Sequence, residues 1–464
     1  MRLSLSRKEE SIITNNGCGV KEDVNMVAKI AEMSETVKTF FHEHAEQTAR
    51  ETEFVQRTSK MTGSLWLQMW VLGLLDTPQS ALSHLAEWCE DQFGLHITAQ
   101  GIDDRVQTAA VTFFHAMFGL AISMFRQTVR IPIRILTQFT AVNIFDSTSI
   151  SLPACLAEAF PGSGGAASPA ALKLQLVVDF LTGAFKAIDM TDGIHPDQAY
   201  AHFLDAVEAG SLNLFDLGYF TLTRLKGIIT NKAYFVCRLL HGNGLYDENG
   251  NKITLLRLLR GEERNAFECW MQVGADTRLR LRLCCFRVPE EVANRRRRNT
   301  RKTAAKKGKQ PSKDSLELMG WTLLLTNTTA SMIPLKLIAL LYTLRWQIEL
   351  IFKQWKSQAK LHEISGVRKE RVLVELYAKL IGLVLFQFLV MPLRTKNIDL
   401  SPAKAFQRFA RKSRALATAL RSSRHIQYWL THLHAKLLKW AIREKRKKRL
   451  STVNLLDLEV AYYV

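Results

Sequence analysis

LYTLRWQIELIFKQWKS, residues 341–357, is the stretch whose reading decides the fold. Leu337, Leu340, Leu341, Leu344, Ile348, Ile351, Phe352 and Trp355 recur at helical spacing and predict one buried face. Tyr342, Arg345, Glu349, Lys353 and Lys356 follow one another at steps of 3, 4, 4 and 3. At about 100° per residue they share an opposite arc roughly 80° wide. One carboxylate then stands among three cations and a phenol. Glu–Lys and Arg–Glu pairs at this spacing also occur on ordinary solvated helices, so the stripe alone does not separate a surface from a site. Other residues decide it.

The chain has 464 residues, 47% of them hydrophobic and 9% aromatic, which excludes a disordered class and allows two or three domains. Lys and Arg number 63 against 43 Asp and Glu, a surplus of +20. Such an excess points to a polyanionic partner before an acidic membrane surface. Ten of the cations fall between Arg295 and Lys313 with one acid, Asp314, only beyond that run, and eight more lie between Lys436 and Arg449. The opening MRLSLSRKEESIIT has no apolar core of the kind a signal peptide needs. Val106 to Phe125 is uncharged, but Gln107, Thr108, Thr112, His115 and Ser123 interrupt it, which predicts a core helix and not a membrane span. The seven cysteines form no CxxC pair, as fits a reducing cytoplasm.

Residues 1–138 read as a helical domain. Thr77–Pro78 starts the helix SALSHLAEWCEDQF, Gly94 ends it, and Thr98 caps AQGIDDRVQTAAV; the pair is a candidate helix-turn-helix. From 139 to 365 the texture is α/β. VNIFDSTSISL, LKLQLVVDF and AFKAIDM read as strands, DQAYAHFLDAVEAG as helical and LNLFDLGYF as a further strand. Strand, strand, strand, helix, strand is the start of a ribonuclease H-like fold. Residues 221–320 read as a β-rich insertion, with AYFVCRLL, KITLLRLL and RLRLRLCCFRV strand-like and RRRRNTRKTAAKKGK a mobile basic loop suited to a phosphate backbone. The region 366–464 is helical and basic, with LIGLVLFQFLVMPL buried.

Three acids stand out by position: Asp146 in the first strand, Asp216 at the end of a later one, and Glu349 on the polar stripe. Adjacent strands would bring the aspartates together, and a helix crossing them would add the third carboxylate. Oxygen donors of this kind suit Mg²⁺, and two such ions support in-line displacement at a phosphodiester. Arg345, Lys353 and Lys356 would then hold DNA phosphates, with Tyr342 as a hydrogen-bonding partner. Asp179, Asp192 and Asp197 are rivals: Asp179 precedes a hairpin, and the other two read as loop and helix-cap residues.

Tyr342, Arg345, Glu349 and Lys356, together with FDSTSISLP around Asp146 and DLGYF around Asp216, resemble the YREK signature and acid motifs of bacterial DDE transposases of the insertion sequence four family. The resemblance covers roughly residues 140–360. It implies a metal-binding catalytic triad of Asp146, Asp216 and Glu349, with two Mg²⁺ ions that Mn²⁺ can replace. It implies contacts from Tyr342, Arg345, Lys353 and Lys356 to transposon-end DNA, and a β insertion in the long gap. Trp321, 28 residues before Glu349, is implied as the ring that stacks a flipped base, and Trp346 is similarly placed. The expected activity is DNA transposition: cutting at element ends and joining 3′-hydroxyls to target DNA, as a homodimer in the bacterial cytoplasm and on the nucleoid. A ribonuclease H-like endonuclease that does not join, or an inactive DNA-binding remnant, is the alternative.

Overall fold

A computed structural model describes residues 26–126, 128–164, 168–396 and 399–443. In chain order they form α1 (residues 26–39), a π-helical turn Phe40–His44, α2 (Ala45–Glu51), α3 (Gly63–Asp76), α4 (Leu82–Phe93), α5 (Ala99–Arg105) and α6 (Thr108–Met124). Then come β1 (Val142–Leu152), β2 (Ala170–Asp179), β3 (Phe185–Asp192), β4 (Leu212–Leu214), α7 (Leu222–Thr230), β5 (Tyr234–Arg238), β6 (Leu245–Tyr246) and β7 (Lys252–Ile253). These are followed by α8 (Leu255–Arg260), β8 (Ala266–Val273), β9 (Leu279–Arg287), α9 (Glu290–Ala305), α10 (Lys313–Leu318) and β10 (Trp321–Thr326). The chain continues through α11 (Leu335–Tyr342), α12 (Trp346–Ser357), α13 (Lys369–Val390), α14 (Leu393–Lys396), α15 (Pro402–Ala410), α16 (Ser413–Ala419) and α17 (Ser423–Trp440).

Two compact units divide the chain, one mixed α/β (130–151 and 160–352) and one helical, whose described parts come from 26–129, 152–159 and 353–443. The boundaries fall at 129/130 and 352/353, not at 138/139 and 365/366. Helices from both ends of the chain build the second unit together, where the sequence alone suggests separate domains.

The α/β unit holds one ten-stranded sheet in the order β3-β2-β1-β4-β5-β10-β9-β8-β6-β7. β1, β4 and β5 run parallel, and β2 and β3 pair antiparallel. Strands buried on both faces read as continuous apolar runs, and β4 is buried at all three positions. A polar lock fixes their register: Asn143 Nδ2 donates to Asn213 Oδ1 at 3.0 Å, and Asn213 Nδ2 donates to the Tyr234 carbonyl at 2.9 Å. The register pairs Ile144 with Leu214. Asp146, still on β1, and Asp216, just past β4, each follow two residues later, so the register places them at the same level beyond the β1–β4 pairing. Strand alternation sends Phe145 the other way, onto Phe203 in the core, with ring centroids 4.0 Å apart.

Sequence and structure part at several points. DQAYAHFLDAVEAG winds as two 3₁₀ turns, Asp197–Ala199 and Ala201–Ala206, not as an α-helix. The Arg224 guanidinium organises these turns: it lies 4.2 Å from the Phe203 ring centroid and donates to the Gln198 and Tyr200 carbonyls at 3.2 and 3.1 Å. LLRLLR forms α8 instead of a strand, and AFECWMQV adds β8. RRRRNTRKTAA belongs to a 16-residue helix, α9, not to a loop.

In the helical unit, α13 is the apolar LIGLVLFQFLV helix, and 94% of its most apolar 18-residue window is buried inside the protein. Its two fully buried charged residues pair with each other, Lys379 Nζ to Glu375 Oε1 at 2.9 Å, each side chain 2% exposed. α4 begins at Leu82, four residues beyond Pro78, because Ser80 Oγ bonds the Thr77 carbonyl in a separate turn at 2.6 Å. Gly94 closes α4 in the left-handed conformation (φ 64°) that favours glycine, and Thr98 caps α5. Residues 444–449 of the basic tail, with five of its eight cations, and the first 25 residues lie outside the described residues.

Candidate active site

Three elements of the α/β unit carry the expected acids. Asp146 projects from β1, with its side chain 15% exposed. Asp216 follows β4 and caps the 3₁₀ turn Leu217–Tyr219, its Oδ1 accepting the Gly218 N–H at 2.8 Å. The turn is tight around Gly218: a Cβ there would stand 3.0 Å from Asp216 Oδ1 and 3.1 Å from Asp197 Oδ2 and would press on both carboxylates. Glu349 lies one turn into α12, 37% exposed. The predicted helix over 341–357 is broken by a tighter 3₁₀ turn at Thr343–Arg345, yet Leu344, Ile348, Phe352 and Trp355 are all buried as expected.

Arg345 joins the acids. Its Nη1 donates to Asp146 Oδ2 at 2.8 Å and its Nη2 to Glu349 Oε1 at 2.7 Å. Its Nε is buried with no hydrogen-bond partner among the described residues. Burial pushes the Asp146 carboxyl up to about 6. The Ser147 N–H and the Arg345 charge pull against that rise, while Asp216 and Glu349 add to it. Asp146 therefore feels the charge of both other carboxylates. Burial also raises the Tyr219 phenol, helped by Asp197, Asp146 and Asp216.

Among the described residues, no group of three His, Cys, Asp or Glu side chains is arranged to hold a metal ion. What is present is a set of hard oxygen donors, with two of the three carboxylates already gripping one cation. That chemistry fits a divalent ion, which would take Asp146 and Glu349 from the guanidinium.

Beside the acids lies a cavity of about 630 Å³ lined by Asp216, Arg238, Arg296, Tyr342, Arg345 and Trp346, among others. Tyr342 is half-buried there, its phenol pushed up to about 12 by burial. Trp346 is 60% exposed. Trp321 is more enclosed than Trp346. It is 9% exposed, packs edge-on against Phe267 at 5.9 Å and carries the Arg287 guanidinium 4.6 Å from its ring centroid. Trp321 also lines a cavity of about 410 Å³, whereas Trp346 is the exposed ring. Lys353 and Lys356 fall in the helical unit; the first is exposed and the second half-buried.

Asp197 is the residue that sequence reasoning set aside too readily. It accepts from Ser147 Oγ at 2.8 Å and Gln175 Nε2 at 3.1 Å, with Lys173 Nζ at 3.4 Å, so it ties the residue after Asp146 to β2. Asp179 is structural: buried, it accepts the Val142 and Leu181 N–H groups at 3.1 Å and the Thr182 hydroxyl at 2.7 Å. Arg238 and Arg296 carry no local signal for their place in the cavity, because β5 and α9 come together there only through the fold.

Comparison with known proteins places the chain in a family. The family described as "Transposase DDE domain" matches residues 137–385, more than half of the chain. The transposase for insertion sequence element IS231E of Bacillus thuringiensis subsp. finitimus is 29% identical over 78% of this chain and 80% of its own length. That for IS1151 of Clostridium perfringens is 28% identical over 93% and 97%. A piggyBac transposase synaptic complex with hairpin DNA overlays 90% of this chain and 86% of its own at 11% identity, with a TM-score of 0.46. The match over residues 137–385 spans all three acids and Arg345, and the chain belongs to the transposase DDE domain family.

Proposed function

We propose that this DDE transposase cuts phosphodiester bonds at insertion-sequence ends and joins the freed 3′-hydroxyls to target DNA, on a ribonuclease H-like core. The strand order β3-β2-β1-β4-β5, with β1, β4 and β5 parallel, supports the core assignment. The observation that carries the reading is the Arg345 bridge between Asp146 and Glu349, at the sheet end where the register delivers Asp216. Asp146, Asp216 and Glu349 would hold two Mg²⁺ ions, with Mn²⁺ as a substitute. When bound, such ions activate an attacking hydroxyl and neutralise charge on the leaving oxygen.

The remaining steps belong to the chain's own groups. Arg345, released from the carboxylates, can turn its guanidinium to a DNA phosphate, and its unpartnered Nε supplies a further donor. Tyr342, with its proton held firmly by burial, donates to a phosphate instead of ionising. Lys353 and Lys356, one and two turns beyond Glu349 on the same helix, are assigned to the end DNA. The α4–α5 pair is a candidate end-binding helix-turn-helix, and handling two ends together calls for a homodimer acting on the bacterial nucleoid.

A strand-transfer assay tests this: a duplex carrying the element end, a target plasmid and Mg²⁺. Joined product is the expected result. Cleavage without joining would replace the reading with a ribonuclease H-like endonuclease, and binding without cleavage would leave a DNA-binding remnant.

A further inference from the structure

α9 divides its cations into two sets. Arg296 donates to the Trp321 carbonyl and to Thr322 Oγ1, both at 3.0 Å. Arg297 donates to Glu290 Oε1 at 2.6 Å, to Asn294 Oδ1 at 2.9 Å and to the Leu316 carbonyl at 3.2 Å. With buried Ala293 and half-buried Thr300, these two arginines make the face that fastens α9 to the sheet and to α10. Arg295, Arg298, Arg301, Lys302 and Lys306 are all exposed, and none makes a side-chain hydrogen bond or ion pair with another described residue. At about 100° per residue they fall within an arc of roughly 140°, opposite the fastened face. The only acids of the helix, Glu290 and Glu291, sit in its first turn, before this arc begins.

The position of the helix gives the arc a partner. Arg296 lines the same cavity as Asp216 and Arg345, so α9 passes beside the acids with its fastened face toward them and its free face turned outward. From Arg295 to Lys306 the rise is about 16 Å, close to five base pairs of duplex at about 3.4 Å each. Five cations with no counter-charge among the described residues match the charge of one strand over that length, about one phosphate per 3.4 Å. Of the two asparagines on or beside the arc, Asn294 is engaged by Arg297 through its Oδ1.

Resting on the transposase reading, we infer that Arg295, Arg298, Arg301, Lys302 and Lys306 form a phosphate track for the duplex that runs on from the reacting phosphodiester. The track grips this DNA without reading its sequence. Arg296 and Arg297 are its fasteners and touch no DNA.

The test is the salt dependence of binding to a duplex of about 30 base pairs and arbitrary sequence, followed by fluorescence anisotropy. Each phosphate contact contributes about 0.9 to the slope of log affinity against log salt. The full-length variant R295Q/R298Q/R301Q/K302Q should flatten the wild-type slope by about 3 to 4, and R295Q/R298Q by about half of that. The charge-conserving R295K/R298K/R301K should keep the wild-type slope. A control with equal loss of charge elsewhere on the α/β unit, K226Q/K232Q/K252Q/R257Q, should change it by less than about 1. A quadruple variant with the wild-type slope, or a control that flattens equally, overturns the track. Loss of affinity for one sequence only also overturns it, by making α9 a base reader. Failure of the wild-type protein to bind any duplex would instead bring down the transposase reading beneath it.

Discussion

Arg345 and Asp146 lie 199 residues apart in the chain and 2.8 Å apart in the fold, guanidinium to carboxylate. The same side chain reaches Glu349 at 2.7 Å, so one cation marks where β1 and α12 meet. Arg345→Met leaves two carboxylates without that cation and removes a phosphate ligand. It should cut the cleavage rate by at least about 10²-fold, with Arg345→Lys intermediate because lysine restores charge but not the two-pronged geometry. Single-turnover cleavage kinetics check the order wild type, lysine, methionine.

Glu349→Gln keeps the hydrogen-bonding shape of the side chain while deleting its charge. Cleavage should fall to background and duplex binding should stay within about threefold of wild type, since Glu349 contributes no attraction to phosphate. Cutting and anisotropy measured on the same preparation separate the two effects.

Asp146 sets a pH dependence. Its carboxyl is raised from 3.8 to about 6, so the stabilisation from its protonated form is complete below about 4 and is lost as the pH rises through about 6. Without divalent ions, unfolding free energy should therefore fall by about 2–3 kcal/mol across that window relative to Asp146→Asn, by about 1.4 kcal/mol per pH unit. Urea denaturation of both proteins from pH 4 to 8 gives the difference. Cleavage should run the opposite way, rising as Asp146 ionises, with a midpoint that moves to lower pH as Mg²⁺ is increased.

Asp197→Ala withdraws the acceptor shared by Ser147, Gln175 and Lys173. Leaving these donors short should cost about 1–3 kcal/mol of stability and slow cleavage by loosening β1 next to Asp146. Thermal unfolding and cleavage rates together test it; a variant as stable and as fast as wild type would show that the tether does not matter.

How far the sequence could be read follows from what holds each part. The helix over 346–357 and strands β1 and β4 were legible because buried Leu344, Ile348, Phe352 and Trp355 impose one period and VNIF and LNL another. α9 was not, because only Ala293 on it is buried and its fastening is polar, through Arg296 and Arg297, which leaves no apolar period to detect. Trp321 looked available because nothing nearby in the chain covers it; its cover, Phe267, comes from β8 two strands away. Asp197 looked like a cap because its donors, Ser147, Gln175 and Lys173, all come from earlier strands.

The central claim is that Asp146, Asp216 and Glu349 serve one divalent-ion centre. Replacing Mg²⁺ with Fe²⁺ and adding ascorbate and peroxide generates hydroxyl radicals at bound iron, which cut the backbone beside it. The account predicts cuts clustered around residues 146, 216 and 349, competed away by Mg²⁺ and lost in Asp146→Asn. Cuts confined to one of these segments, or falling elsewhere, would contradict it.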